Sequence, residues 1–121
     1  MRLRSDIWVA AYLRRVTVQG AYAVLRRRGA PEAGAIFVLV DRLDGRVALF
    51  APAPGDALMD GERRWFRAHA PEWVDAADVE TRLAREARID PDIWVVVVES
   101  REGRHDLDLA ASPTDRRGET A

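Results

Sequence analysis

The chain has 121 residues and a mass of 13.6 kDa, with 48% hydrophobic and 32% charged residues. These values are typical of one folded domain with a substantial core, and they exclude wholesale disorder. The net charge of −1 provides no general attraction for nucleic acid or anionic lipid. The absence of cysteine excludes disulfides and thiolate metal sites, and the absence of lysine excludes Schiff-base chemistry.

The N-terminal segment predicts an amphipathic helix over residues 5–19. Ser5 is a suitable N-cap, and Gly20 is suited to end the helix. The buried stripe is predicted from apolar positions four residues apart: Trp8, Tyr12 and Val16. The apolar run 7–13 is too short for an export signal and no stretch is long enough to span a membrane, so we expect a cytoplasmic protein.

The middle of the chain predicts strands. Residues 21–28 fit either a strand or a second helix; the strand is preferred because Gly29 and Pro31 then form a turn. Further strands are predicted at 33–40, 47–54 and 63–70, with a loop over 55–62. Asp44 and Gly45 are expected to supply the positive-φ positions of a hairpin turn.

A second helix is predicted from an Asp75 cap to residue 90, where Pro91 stops it. Its exposed face carries an expected ion-pair ladder of Asp78, Arg82 and Glu86. A strand at 92–100 and a short strand at 105–109 follow. The fold class is therefore α+β: a four- to five-stranded, mainly antiparallel sheet packed by two helices, in the order α-β-β-β-β-α-β, with curling of the sheet left open. We expect a single domain over 1–109 and a flexible polar tail over 110–121.

The carboxylates around the last long strand are interpreted as residues that mark the ends of the helix and the strand, and not as a reactive cluster. The reason is that Asp92 and Glu99 would lie roughly 23 Å apart on opposite faces. Both faces of residues 93–98 are apolar. Three arrangements satisfy this pattern: a curled sheet, helices on opposite faces, or a second chain on one face. On this basis we predict a homodimer or a protein partner.

Charge is uneven along the chain. Residues 1–28 hold seven arginines against Asp6 alone, and the rest of the chain is net negative. On a strand at 63–70, one face carries an aromatic ring between basic groups: Arg63, Trp65, Arg67 and His69. The candidate contacts for nucleic acid or a partner are Arg14, Arg15, Arg26, Arg27, Arg28, Arg63, Trp65, Arg67 and His69. A solvated rim and a Trp shielded by guanidinium groups are the structural alternatives, and Trp8 and Trp94 are predicted to be core residues.

Nothing in the sequence predicts a catalytic, metal or cofactor site. His69 and His105 lack ligand-spaced partners, and none of Ser5, Ser100 and Ser112 lies in a nucleophile elbow. No cofactor is expected.

Four blocks together resemble the uncharacterised bacterial domain-of-unknown-function family 1491: SDIWVAAYLRR, GAYAVLRRRG with AGAIFVLV, DGRVALFAPAP and REARIDPDIWVVVVE. The resemblance covers nearly the whole chain except the tail. It implies an alphaproteobacterial cytoplasmic protein with the family's fold, and it implies no activity or site residues.

The leading interpretation of function is a non-enzymatic protein-interaction or regulatory module. The first alternative is a nucleic-acid-binding protein that uses the N-terminal arginines. The second is a small phosphate-handling or hydrolytic enzyme built on His69 and nearby acids.

Overall fold

The computed structural model describes residues 3–54 and 62–110. Within these ranges the chain forms two helices and six strands, so the predicted α+β class is confirmed. Their bounds are α1 Ser5–Val18, β1 Tyr22–Arg27, β2 Ile36–Asp41, β3 Arg46–Pro52, β4 Trp65–Arg67, β5 Val74–Asp75, α2 Ala76–Ile89 and β6 Trp94–Glu99.

The strands form one open sheet in the order β1-β6-β2-β3-β4, with β5 also paired to β3. β6, the last of the described strands, therefore lies between β1 and β2. β6 is antiparallel to β1 and parallel to β2, while the remaining pairs are antiparallel. The open choice for residues 21–28 is settled as a strand, and the sheet has one strand more than the upper end of the predicted count.

The two helices cover opposite faces of this sheet. Val9, Tyr12 and Val16 of α1 belong to the core on one face, and Val79 and Leu83 of α2 belong to the core on the other. All the β6 residues from Trp94 to Val98 are buried as a result. The prediction that β6 is dry on both sides is confirmed, and the chain's own helices provide the cover. The apolar faces of β6 are therefore no argument for a second chain.

The start of α1 differs from the expectation. Arg4 occupies the N-cap position, and Ser5 is the first helical residue. The buried Ser5 hydroxyl donates a hydrogen bond of 2.7 Å to the Gly34 carbonyl instead of capping the helix. Ser5 therefore ties the helix to the segment that leads into β2. At the other end Gly20 has a φ of +97°, and it closes the helix as predicted.

The β2–β3 turn also differs in detail. The positive-φ residues are Leu43 and Gly45, and Asp44 is not among them. Asp44 accepts hydrogen bonds from the Arg42 guanidinium and from the Arg46 amide, which holds the turn together. The pKa of Asp44 is lowered, first by the Arg42 hydrogen bond.

Two glycines bring the segment after β1 against the start of β6. A Cβ atom on Gly29 would lie 2.2 Å from the Asp92 carbonyl oxygen, and one on Gly34 would lie 2.4 Å from the same atom. The Ala30 amide donates to that oxygen, and the Trp94 indole donates to the Ala30 carbonyl. Only glycine fits this close backbone approach.

The remaining predicted elements are shorter than expected. β4 covers three residues of the predicted 63–70, and residues 105–109 form only an isolated bridge, between Leu109 and Trp65, in place of a strand. In the predicted ion-pair ladder, Arg82 and Glu86 are paired at 3.5 Å. Most of the predicted loop 55–62 and of the predicted tail lies outside the described residues.

Candidate functional site

Arg14 and Arg15 lie on α1, and the other predicted contact residues form two groups at opposite edges of the sheet. Arg26 and Arg27 belong to β1 and Arg28 follows it, whereas Trp65 and Arg67 belong to β4. Four inter-strand spacings separate β1 from β4, a distance of roughly 19 Å. The structure therefore does not join the two groups into one surface.

Trp65 is a core residue and not a surface ring. Its side chain is 3% exposed, its indole donates a 2.9 Å hydrogen bond to the Ile36 carbonyl, and its ring centroid lies 4.6 Å from that of Trp8. A nucleobase cannot reach a ring enclosed in this way. The interpretation of Trp65 as a stacking platform is wrong because the face of β4 that carries Trp65 packs against α1.

Arg67 and Arg63 are also engaged within the chain. The Arg67 guanidinium lies 4.8 Å from the Phe50 ring centroid and 5.5 Å from that of Trp73, and it donates to the Glu72 carbonyl. Partial burial lowers the pKa of Arg67. Arg63 donates to the Leu3 carbonyl and to the Ser5 hydroxyl, so it holds the start of α1 against β4.

The His69 ring uses both nitrogens on the main chain. Nε2 accepts a 3.0 Å hydrogen bond from the Leu49 amide, and Nδ1 lies 2.7 Å from the Pro71 carbonyl, to which it donates. This arrangement requires the neutral ring. Partial burial, together with the charges of Arg67 and Arg82, lowers the pKa of His69. A ring bound in this way has no free nitrogen to act as a general base.

Two of the predicted N-terminal contact arginines are paired with acids from later in the chain. Arg15 pairs with Asp106 at 2.6 Å, and Arg26 contacts both Glu80 oxygens, at 3.0 and 2.8 Å. Arg27 donates to the Pro91 carbonyl, and the Arg28 guanidinium lies 5.4 Å from the Trp94 ring centroid. Nucleic-acid binding by Arg14, Arg15 and these residues stays a prediction, with a weaker field than the sequence suggests.

An open cleft of about 420 Å³ lies at the carboxyl ends of the parallel strands β2 and β6. Ligands often bind at this position in open sheets with parallel strands. Its charged lining carries both signs: Glu99, Arg101, Glu102 and Arg104. The Ser100 hydroxyl at its base is already bonded to the Arg104 amide and to Glu102. The cleft therefore offers no free nucleophile at Ser100.

Metal binding receives no support from the side-chain geometry. Within residues 3–54 and 62–110, no three His, Cys, Asp or Glu side chains are grouped so that they could hold an ion. In the same ranges, no helix is both long enough and apolar enough to cross a bilayer.

The β1 edge is defined here as Tyr22–Arg27; the sequence predicted contacts at its Arg26 and Arg27 but not at its first four residues. The Trp94 amide donates to Ala35 and the Ser100 amide donates to Asp41, so the even-numbered residues of β6 direct their main-chain groups toward β2. The odd-numbered residues then face β1, where Val97 lies opposite Val24 and Glu99 lies opposite Tyr22.

It follows that Tyr22 and Val24 bond to β6, and that Ala23 and Leu25 point their amide and carbonyl groups away from the sheet. No described residue supplies a partner to those outward groups. The opposite edge is different, because the Trp65 amide donates to Asp108 and the Ala110 amide donates to Trp65. Residues 108–110 thus cover β4, while among residues 3–54 and 62–110 nothing covers the β1 edge.

The side chains of the β1 edge are incompletely buried on both faces of the sheet. Tyr22 is 62% exposed and Val24 is 37% exposed on the α2 side. Ala23 and Leu25, on the α1 side, are partly buried against the core. The signal that could have revealed this surface is the alternation of Tyr22, Val24 and Arg26 with Ala23 and Leu25. That pattern cannot tell an edge strand from an internal one.

Comparison with known proteins identifies the family. The family model described as "Protein of unknown function (DUF1491)" matches residues 3–108. The chain is 39% identical to a DUF1491 family protein of Caulobacter crescentus CB15 known from a crystal structure, over 92% of this chain and 100% of that one, with a TM-score of 0.74. It is also 39% identical to protein Atu0922 of A. tumefaciens, over 93% and 98% of the two chains, with a TM-score of 0.77. No curated protein matches the chain. The family match extends over nearly all of the described fold, and the chain belongs to the DUF1491 family of proteins of unknown function.

Proposed function

We propose that this protein is a non-enzymatic interaction module that binds a protein partner by strand addition at the β1 edge. The observation that carries the proposal is the pair of outward-facing main-chain positions, Ala23 and Leu25, which have no partner within the described residues. Open edges of this kind pair readily with an incoming strand, and natural sheets usually protect them.

Protection of the β1 edge is confined to one end. Arg26 and Arg27 occupy its carboxyl-terminal end, Arg28 follows it, and the pairing with β6 shifts register between Leu25 and Arg27. Charges and bulges are both devices that block strand pairing. The preceding residues, from Tyr22 to Leu25, have neither device, and their side chains are apolar or aromatic.

The side-chain geometry supports a binding role better than a catalytic one. Both nitrogens of His69 are engaged, and Nδ1 of His105 accepts from the Leu107 amide while its ring lies 4.8 Å from Phe50. The Ser5 and Ser100 hydroxyls are engaged in local hydrogen bonds. These side chains hold the fold together, whereas the main chain of the β1 edge is available to a partner.

Capture from an extract of the source cells with three immobilised baits tests the proposal. Ala23→Pro removes the outward amide donor of residue 23 but leaves the bonds of Tyr22 and Val24 to β6, because proline is tolerated on the solvent side of an edge strand. Ile89→Asp is the matched control, since Ile89 is an apolar side chain with 75% exposure at the end of α2.

We expect the wild-type and Ile89→Asp baits to retain the same protein, and the Ala23→Pro bait to lose it. Circular dichroism of each bait checks that the fold is intact. Equal retention by all three baits would refute binding through this edge. The same holds if no protein is retained, the cell's own copy of this chain included.

A further inference from the structure

We propose that the partner at the β1 edge is a second copy of this chain, joined strand to strand about a two-fold axis that passes beside Val24. This inference rests on the proposed function and specifies its partner. It predicts a continuous sheet across two subunits in which β1 of each copy is an internal strand.

The main-chain geometry allows this register. In an antiparallel pair, residues directly opposite each other both face the partner or both face away. A two-fold axis at Val24 places Ala23 opposite the partner's Leu25, and Leu25 opposite the partner's Ala23. Both are outward-facing positions, so each of the two pairs exchanges two main-chain hydrogen bonds. All the unpartnered groups of Ala23 and Leu25 are satisfied together.

The positions of the arginines favour this register over its neighbours. With the axis at Val24, Arg26 lies opposite the partner's Tyr22, and the two Arg26 side chains are roughly 13 Å apart along the strands. An axis at Leu25 would instead make the two Arg26 side chains diagonal neighbours, about 7–8 Å apart, where like charges repel. An axis at Ala23 would leave Arg26 opposite the partner's Gly20, outside the strand.

The same register completes the core on both faces of the sheet. On the α2 side, Val24 packs against the partner's Val24, and the exposed ring of Tyr22 lies beside the partner's Arg26, a pairing that suits cation–π contact. On the α1 side, the partly buried Leu13 and Leu25 of each copy gain cover. A strand edge by itself buries too little surface for a stable dimer, so these two faces supply the rest.

Single cysteines test the register, because the natural chain contains no cysteine. Directly opposite residues that do not exchange hydrogen bonds have Cα atoms about 4.5 Å apart, within the range that a disulfide spans. Val24→Cys should therefore form a disulfide dimer rapidly under mild oxidation. Tyr22→Cys is the matched control: it lies on the same face of the same strand, and its copies would be roughly 13 Å apart, too far to bridge.

Light scattering during size-exclusion chromatography gives the oligomeric state without modification. At tens of micromolar we expect the wild-type protein to show twice the 13.6 kDa chain mass. Val24→Asp, which places two carboxylates together at the axis, should show the single chain mass with an unchanged circular dichroism spectrum.

A wild-type protein that is monomeric at these concentrations overturns the inference, and so does equal cross-linking at positions 22 and 24. If the protein is monomeric and the capture experiment still finds a different protein that depends on Ala23, the proposed function stands and the second copy is excluded. A dimer whose mass is unaffected by Val24→Asp also overturns the inference, because its interface lies elsewhere.

Discussion

Replacing Gly29 with alanine tests the close approach between the segment after β1 and the start of β6. The new Cβ would lie 2.2 Å from the Asp92 carbonyl oxygen and 2.6 Å from the carbonyl carbon of Ile93. An ordinary contact needs about 3.4 Å, so the two segments must separate by more than 1 Å. A third atom, Cδ1 of the buried Trp94 ring, would also lie 2.6 Å away. Neither the backbone nor an enclosed indole ring can move aside as a flexible side chain can.

The separation has two costs. Overpacking in a well-packed region typically costs 1–3 kcal/mol, and sometimes more. The hydrogen bond of 2.9 Å from the Ala30 amide to the Asp92 carbonyl is stretched at the same time, which adds about 1 kcal/mol. We expect Gly29→Ala to lower the free energy of unfolding by about 3 kcal/mol, measured by urea denaturation followed by Trp fluorescence.

Gly45→Ala is the matched control. Gly45 has a φ of +85°, and a Cβ atom there would meet nothing within 4 Å. Its cost is therefore backbone strain alone, about 1–2 kcal/mol. If Gly29→Ala costs no more than Gly45→Ala, the close approach does not constrain the fold and the reasoning is refuted.

Three further predictions concern hydrogen bonds and the protonation of the two histidines. Amide exchange of dilute protein should be faster at Ala23 and Leu25 than at Tyr22 and Val24; NMR shows this alternation, and equal rates would contradict the edge assignment. Trp65→Phe leaves the Ile36 carbonyl without its indole donor and should cost about 1–3 kcal/mol in urea denaturation, more than Trp8→Phe in the same ring stack. Burial lowers the pKa of His69 and His105 below the ordinary 6.5, so the unfolded chain takes up protons first as the pH falls. The urea midpoint should therefore be steady above pH 6.5 and decline below it, and the His69→Gln, His105→Gln double variant should show a flatter decline.

Local sequence patterns predicted the elements well where a residue type has a single structural use. Pro91 ends α2 at the expected place, and Gly20 closes α1 with a positive φ. The apolar run of β6 was correctly predicted to be buried on both sides. These outcomes depend on backbone sterics and on periodicity, which neighbouring residues determine.

The pairing of strands that are distant in the sequence could not be predicted from local patterns. The position of β6 between β1 and β2 depends on which faces of the sheet the two helices cover. Because the helices cover opposite faces, no second chain is needed to bury β6. Trp65 shows the same limit for the candidate site. Its alternation with Arg63 and Arg67 suggested an exposed row, but α1 covers that face and buries the ring. The open main chain at Ala23 and Leu25 was missed because an edge strand and an internal strand have similar sequences.

The place of β6 has a consequence for how the chain is made. β1 and β2 do not pair with each other, and the strand that lies between them is synthesised after both. Until residues 94–99 have been synthesised, β1 and the apolar β2 have no strand between them. We expect translation products that stop before Trp94 to aggregate or be degraded, because the sheet can form only after β6 has been made.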